Sequence, residues 1–230
     1  MIQIKETDQI QEEIDEIFSL LAYSIVYKDW QSSSVPREER RGYNIGALIV
    51  NAQNEPVHYG LNCINSTDNA TQHGEVRSII SYLDKTRKFN LAEHTIYTTL
   101  EPCIMCAGMI TMTSFKRVVY GQRDIEYSQA FERLSIDTRS IGGFAPYPRT
   151  VVAVPSSLKY CKALEDAYEE YLKNDSEKVL AKFLTSDEAE TIYQTALNNF
   201  INYQLKFSKN LEIYNIAKSF FNLINLKNGN

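Results

Sequence analysis

The chain has 230 residues, of which 43% are hydrophobic and 23% charged, and its net charge is −5. These proportions are those of a globular protein and exclude disorder and collagen-like structure. The longest strictly apolar run, within Ile45–Val50, is far below the ~20 residues of a membrane-spanning helix. No segment has the clustered basic excess that makes sequence-independent nucleic-acid binding strong, so a small molecule or a short nucleic-acid element is a more natural partner than long duplex.

Met1 to Asp8 turns acidic at once, with no basic stretch followed by an apolar one. The expectation is a cytoplasmic protein with neither export signal nor membrane partner. Ile10, Ile14, Ile17, Leu21 and Ile25 then form one stripe at helical spacing, with Thr7 and Asp8 as expected caps. Ser32 to Pro36 breaks that helix. Tyr43–Asn51 and Pro56–Asn62 read as two strands joined by a polar turn, a hairpin.

A polar stretch runs to His73, and Val76, Ile79, Ile80 and Leu83 mark a second helix. Thr95–Leu100 is a β-branched strand, and Pro102 is expected to open the helix after it, where its missing N–H is harmless. Arg117–Gly121 and Thr150–Val154 give the remaining strands, and Leu158–Leu172 a further helix. Strands alternating with helices predict an α/β layered domain. From Asp175 onward only helical spacing remains, so the chain divides into a domain over 1–174 and a helical C-terminal extension over 175–230, packed on it as two or three helices.

Two short motifs carry chemistry. The first is His73-Gly74-Glu75, where a loop becomes a helix; the second is Pro102-Cys103-Ile104-Met105-Cys106, after a strand. Four cysteines are too few for a disulfide scaffold. Cys161 reads as helix packing, and Cys63 has no assigned role. Cysteines three apart at a helix start can aim both sulfurs at one atom, and the helix dipole there favours thiolate.

With His73 as third ligand, Cys103 and Cys106 complete three corners of a tetrahedral zinc, the catalytic rather than the structural pattern. Glu75, two residues beyond the His, can stand beside the metal without binding it and move protons between its water and a leaving group. Alone, Cys-x-x-Cys fits a redox pair or half a zinc knot equally well, and His-x-Glu alone is close to noise. Together and in this order they are the signature of zinc deaminases acting on cytosine- or adenine-type rings.

On these motifs the chain resembles the cytidine deaminase superfamily over about Gly46 to Asp124. Thr99 to Ile110, with Arg117 to Gly121, is similar to the branch holding tRNA adenosine deaminases and guanine deaminases. Ala70 to Glu75 is closer to fungal-type cytosine deaminases. The resemblance implies a three-layer αβα fold around a five-stranded mixed sheet, here with additional C-terminal helices, assembled as a homodimer with one Zn²⁺ per chain.

It also implies that Asn62 and the backbone N–H of Gly74 bind substrate and that Ile45 packs on its ring. By residue type alone, Asn62 serves equally as a turn residue and Ile45 as plain core. The segment 125–148 matches no branch, and its Phe131, Phe144 and Tyr147 are expected in the pocket wall. The tail could be a lid, a dimer surface or a partner site.

The function so implied is hydrolytic deamination of a nucleobase, nucleoside or related heterocycle. The alternatives are a tRNA adenosine deaminase, which the acidic balance disfavours, and a catalytically idle binding module.

Overall fold

A computed structural model describes residues 6–174 and 179–224. Strands β1 (Gly46–Val50), β2 (Pro56–Leu61), β3 (Thr95–Leu100), β4 (Arg117–Gln122) and β5 (Val152–Pro155) form one sheet in the order β2-β1-β3-β4-β5. β1 runs antiparallel to β2 and β3, whereas β3, β4 and β5 are parallel. This is the mixed five-stranded sheet expected.

The helices are α1 (Glu6–Lys28), α2 (Gly74–Thr86), α3 (Ile104–Met112), α4 (Ala130–Leu134), α5 (Lys159–Asn174), α6 (Leu180–Phe183), α7 (Asp187–Ile201) and α8 (Leu211–Leu223). Alternation along the strands sorts them into layers. Leu48, Val50, Tyr97 and Val119 share a core with α1, α5, α7 and α8. Ala47, Ile49, Ile96 and Val118 pack with Ile79 and Tyr82 of α2 and Ile110 of α3. Among the described residues no helix is long and apolar enough to cross a membrane.

Two local expectations are corrected. Thr7 and Asp8 lie within α1 and do not precede it. Pro102 precedes α3 and does not open it: Cys103 keeps extended backbone (φ −66°, ψ 172°) and occupies the cap position.

Ile14, Ile17, Leu21 and Ile25 of the predicted stripe are buried and Ile10 partly so, but Phe18, Leu20, Ala22, Tyr23 and Val26 around it are buried too. The second face is covered because α7 and α8 pack on it. Its acids are consumed as well. Asp15 accepts from Tyr97 Oη at 2.9 Å and Arg117 Nη1 at 2.6 Å, tying α1 to β3 and β4. Glu13, 1% exposed, accepts from the backbone N–H of Lys206 and Phe207 and from Asn210 Nδ2. The expected boundary at Asp175 lies outside the described residues; the helices beyond it share the core of α1 and the sheet.

Candidate metal centre and its cavity

Strand directions gather the chemistry at one sheet edge. The parallel strands β3 and β4 end there at Leu100 and Gln122, while antiparallel pairing sets Gly46 of β1 opposite Leu61 of β2 at the same edge. Ile45, Asn62, Glu101 to Cys103 and Asp124 therefore converge. Such an edge, beyond the carboxyl ends of parallel strands, is where ligands bind in open α/β sheets.

Helix α2 reaches this edge through a contact only glycines allow. A Cβ on Gly60 would lie 2.3 Å from the Gly74 carbonyl oxygen and 2.7 Å from Ser78 N. A Cβ on Gly74 would lie 2.9 Å from the Gly60 carbonyl oxygen and 3.1 Å from Gly46 Cα. With the backbones this close, His73 caps α2 (φ −69°, ψ 154°) opposite Cys103, which caps α3.

The ligand triangle follows. Cys103 Sγ lies 3.7 Å from His73 Nδ1 and 3.6 Å from Cys106 Sγ, and Cys106 Sγ lies 3.5 Å from His73 Nδ1. Tetrahedral zinc with Zn–S of about 2.3 Å and Zn–N of about 2.1 Å has edges of roughly 3.6–3.8 Å, so the donor set fits. The sulfurs are much too far apart for a disulfide, whose S–S is about 2.05 Å, and all four cysteines are free. Among the described residues this is the group of His, Cys and acidic side chains placed to hold an ion.

The electrostatics point the same way. Contact with the Cys106 thiol, followed by the hydrogen bond to His73, lowers the Cys103 pKa to about 4 despite burial. The hydrogen bond with the Cys103 sulfur, then burial and the charge of Glu75, push Cys106 upward. The Cys103 contact raises His73. These sulfurs are thus poised to share negative charge beside two helix N-termini, which a cation would compensate.

Glu75 is 3% exposed, and its Oε2 has no hydrogen-bond partner. Burial raises its pKa to about 7, against the opposing pull of His73. A carboxyl held near neutrality at a ligand cluster suits a proton shuttle.

A cavity of about 430 Å³ opens over His73, Glu75 and Cys103. Tyr43, Ile45 and Asn62 form one side and Leu100, Ile104 and Met105 another. Asn62, 1% exposed, accepts at Oδ1 from the backbone N–H of Tyr43 (3.2 Å) and Ile64 (3.3 Å), so it both closes its turn and faces the cavity. Gly74 does not line the cavity; it sits in the buried glycine contact, with its backbone N–H in the first turn of α2.

The expectation for 125–148 needs correction. Glu126 and Tyr127 line the cavity, but Phe131 lines a separate cleft, Phe144 is 85% exposed, and Tyr147 contacts Met112. The chain turns away after Asp124, whose Oδ1 accepts from the N–H of Glu126 and Tyr127 at 3.0 Å each. Sequence reasoning missed Glu101, Asp124 and Val179 to Ala181, which also line the cavity. Glu101, 8% exposed, lies within the stretch Thr99 to Ile110, and its acidity beside Pro102 is a usable signal. The four residues of α6 carry no such signal. Cys161 packs against the Tyr23 hydroxyl at 3.5 Å, and Cys63 Sγ contacts the Leu61 carbonyl at 3.3 Å.

Residues 28–122 match the family model described as the cytidine and deoxycytidylate deaminase zinc-binding region. The tRNA-specific adenosine deaminase 2 of Xenopus laevis is 40% identical over 86 residues, 35% of this chain and 49% of that protein. The tRNA-specific adenosine deaminase of Rickettsia felis is 31% identical over 103 residues, 44% of this chain and 72% of that protein. A solved chain from work on A-to-I editing by tRNA:A34 deaminases is 24% identical with a TM-score of 0.41, covering 49% of this chain and 82% of that one. This chain belongs to the cytidine deaminase superfamily. It spans about half the length of the Xenopus relatives it matches.

Proposed function

We propose that the chain is a hydrolytic deaminase that holds one Zn²⁺ through His73, Cys103 and Cys106 and converts an exocyclic amino group of a nucleobase, nucleoside or related heterocycle to a carbonyl, releasing ammonia. The observation that carries this reading is Glu75: a buried carboxyl with an unpartnered oxygen and a pKa raised to about 7, beside a ligand triangle of zinc dimensions. Zinc, when bound, supplies the Lewis acidity that makes water a nucleophile at neutral pH. Glu75 takes the proton from that water and returns it to the departing amine, so that ammonia and not amide ion leaves. Asn62, with Oδ1 engaged by the backbone, offers its Nδ2 protons to a ring acceptor. Ile45 packs on the ring face, and the Gly74 backbone N–H, set between the lining residues His73 and Glu75 although Gly74 itself is not in the lining, is the candidate donor to a ring carbonyl.

In this reading residues 1–174 form the catalytic unit and 175–230 an extension that helps enclose the cavity. A cytoplasmic homodimer belongs to the same proposal, and sedimentation of the full chain tests the dimer. The names of the tRNA-specific relatives favour a second reading, adenosine deamination in an anticodon stem-loop.

Zinc analysis beside ammonia release tests the proposal. Glu75→Ala is expected to keep its zinc and lose about 10²–10⁴-fold in turnover, whereas His73→Ala is expected to lose zinc, two thiolates alone leaving the ion under-coordinated. Unchanged turnover in Glu75→Ala would sink the mechanism.

A further inference from the structure

Two walls of the cavity come from outside residues 28–122, and both bear on what can enter. The first follows β4. Asp124 is 5% exposed, Glu126 stands at the surface beside Tyr127, and Glu101 lies behind them. Glu101 accepts from the N–H of Gln129 at 2.9 Å and of Asp124 at 3.4 Å, which fixes the loop with its carboxyls at the cavity.

With Glu75, four carboxyl side chains line the cavity, and among the described residues no Lys or Arg does. Arg123 acts on Glu101 from outside the lining. Of the helix N-termini at the cavity, those of α2 and α3 are faced by the ligand sulfurs and Glu75, and that of α6 belongs to a single turn of four residues.

The second wall is α6, through Val179, Leu180 and Ala181. It is held in place. Asn44 Nδ2 donates to the Leu184 carbonyl at 2.8 Å, and Ser33 N–H donates to the Thr185 carbonyl at 2.9 Å. Phe183 and Leu184, each 1% exposed, sink into the core beneath it.

We infer that the cavity takes a phosphate-free amino-heterocycle, a base or a nucleoside, and turns away nucleotides and polynucleotides, with Asp124, Glu126 and α6 setting that limit. This rests on the deaminase reading above. A phosphate held away from the ligand triangle would meet the Asp124 and Glu126 side chains and no Lys or Arg, a repulsion that discriminates without weakening the ring's own contacts. A polynucleotide backbone running along α6 or along the loop after β4 would meet that apolar wall or the same acids.

The zinc-loaded full chain is assayed for ammonia release with adenine, guanine and cytosine, their nucleosides, the nucleoside 5′-monophosphates, and an anticodon stem-loop. For the ring that reacts, kcat/KM for the monophosphate is expected about a hundredfold below that of the base or nucleoside. Glu126→Lys and Val179→Lys, both at partly exposed positions, are each expected to narrow that ratio about tenfold. Parallel thermal melts are expected to show stabilisation by the nucleoside and none by the monophosphate. Monophosphate or stem-loop turnover as efficient as that of the nucleoside, or a ratio unmoved in both variants, would overturn this inference and leave the deaminase reading standing. Ammonia from none of the compounds would overturn both.

Discussion

Asn62 shows how one side chain can close a turn and still face a cavity. Its Oδ1 is fixed by the N–H groups of Tyr43 and Ile64, so only its Nδ2 protons remain for a ligand. Asn62→Asp keeps the acceptor and removes the donors. The expected result is zinc content close to native with KM raised about tenfold or more, because a ring acceptor would then face a carboxylate oxygen. Steady-state kinetics beside zinc analysis checks it, and a native KM would remove Asn62 from the substrate site. His73, Glu75, Cys103 and Cys106 were legible in the sequence because ligand chemistry restricts each position to few residue types. Asp124 and Glu101 were less so, since an acid in a loop is ordinarily a solvated one.

The element that positions the centre is α2, and its placement depends on Gly60, Gly74 and Gly46 meeting backbone to backbone. Gly60→Ala puts a methyl within 2.3 Å of the Gly74 carbonyl oxygen, which no flexible side chain can relieve. The expected effect is a loss of about 1–3 kcal/mol in urea unfolding, with weaker zinc binding because His73 moves with the helix end. Equal zinc affinity in chelator competition would show that the ligand triangle does not depend on this contact. Strand assignments from alternation were close: β3 is Thr95–Leu100 as expected, and β1 is shorter than the predicted Tyr43–Asn51 because Tyr43 and Asn44 are engaged by Asn62, Gln31 and Leu184 and not by the neighbouring strands.

At the scale of the whole molecule, acid sensitivity is expected from the histidines packed about α2. His58 stacks on Tyr82 with centroids 5.9 Å apart, and its Nε2 has no partner. His94 meets the Tyr82 hydroxyl at 3.4 Å and Lys88 Nζ at 3.3 Å through Nε2, while its Nδ1 has no partner. Burial, and then the charge of Lys85 or Lys88, lowers the pKa of each. The unfolded chain therefore binds these protons more readily than the folded one. Their contribution is undiminished above about pH 6.5 and stability falls as pH drops below it. Tm is expected to decline from pH 7 to pH 5, and less steeply in His58→Phe. Parallel slopes for the two proteins would show that His58 binds its proton equally well in the folded and unfolded states.

The sequence by itself determined the three candidate metal ligands and the Glu75 beside them, the sheet and the presence of helices after residue 179, because periodicity and ligand chemistry act over a few neighbouring residues. Only the tertiary structure decided that α1 is buried on both faces, that Phe131, Phe144 and Tyr147 stand away from the cavity, and that α6 and the acids after β4 enclose it. Those outcomes depend on which distant segments pack together. The bond from Asn44 to Leu184, 140 residues apart, leaves no trace in the spacing around either residue.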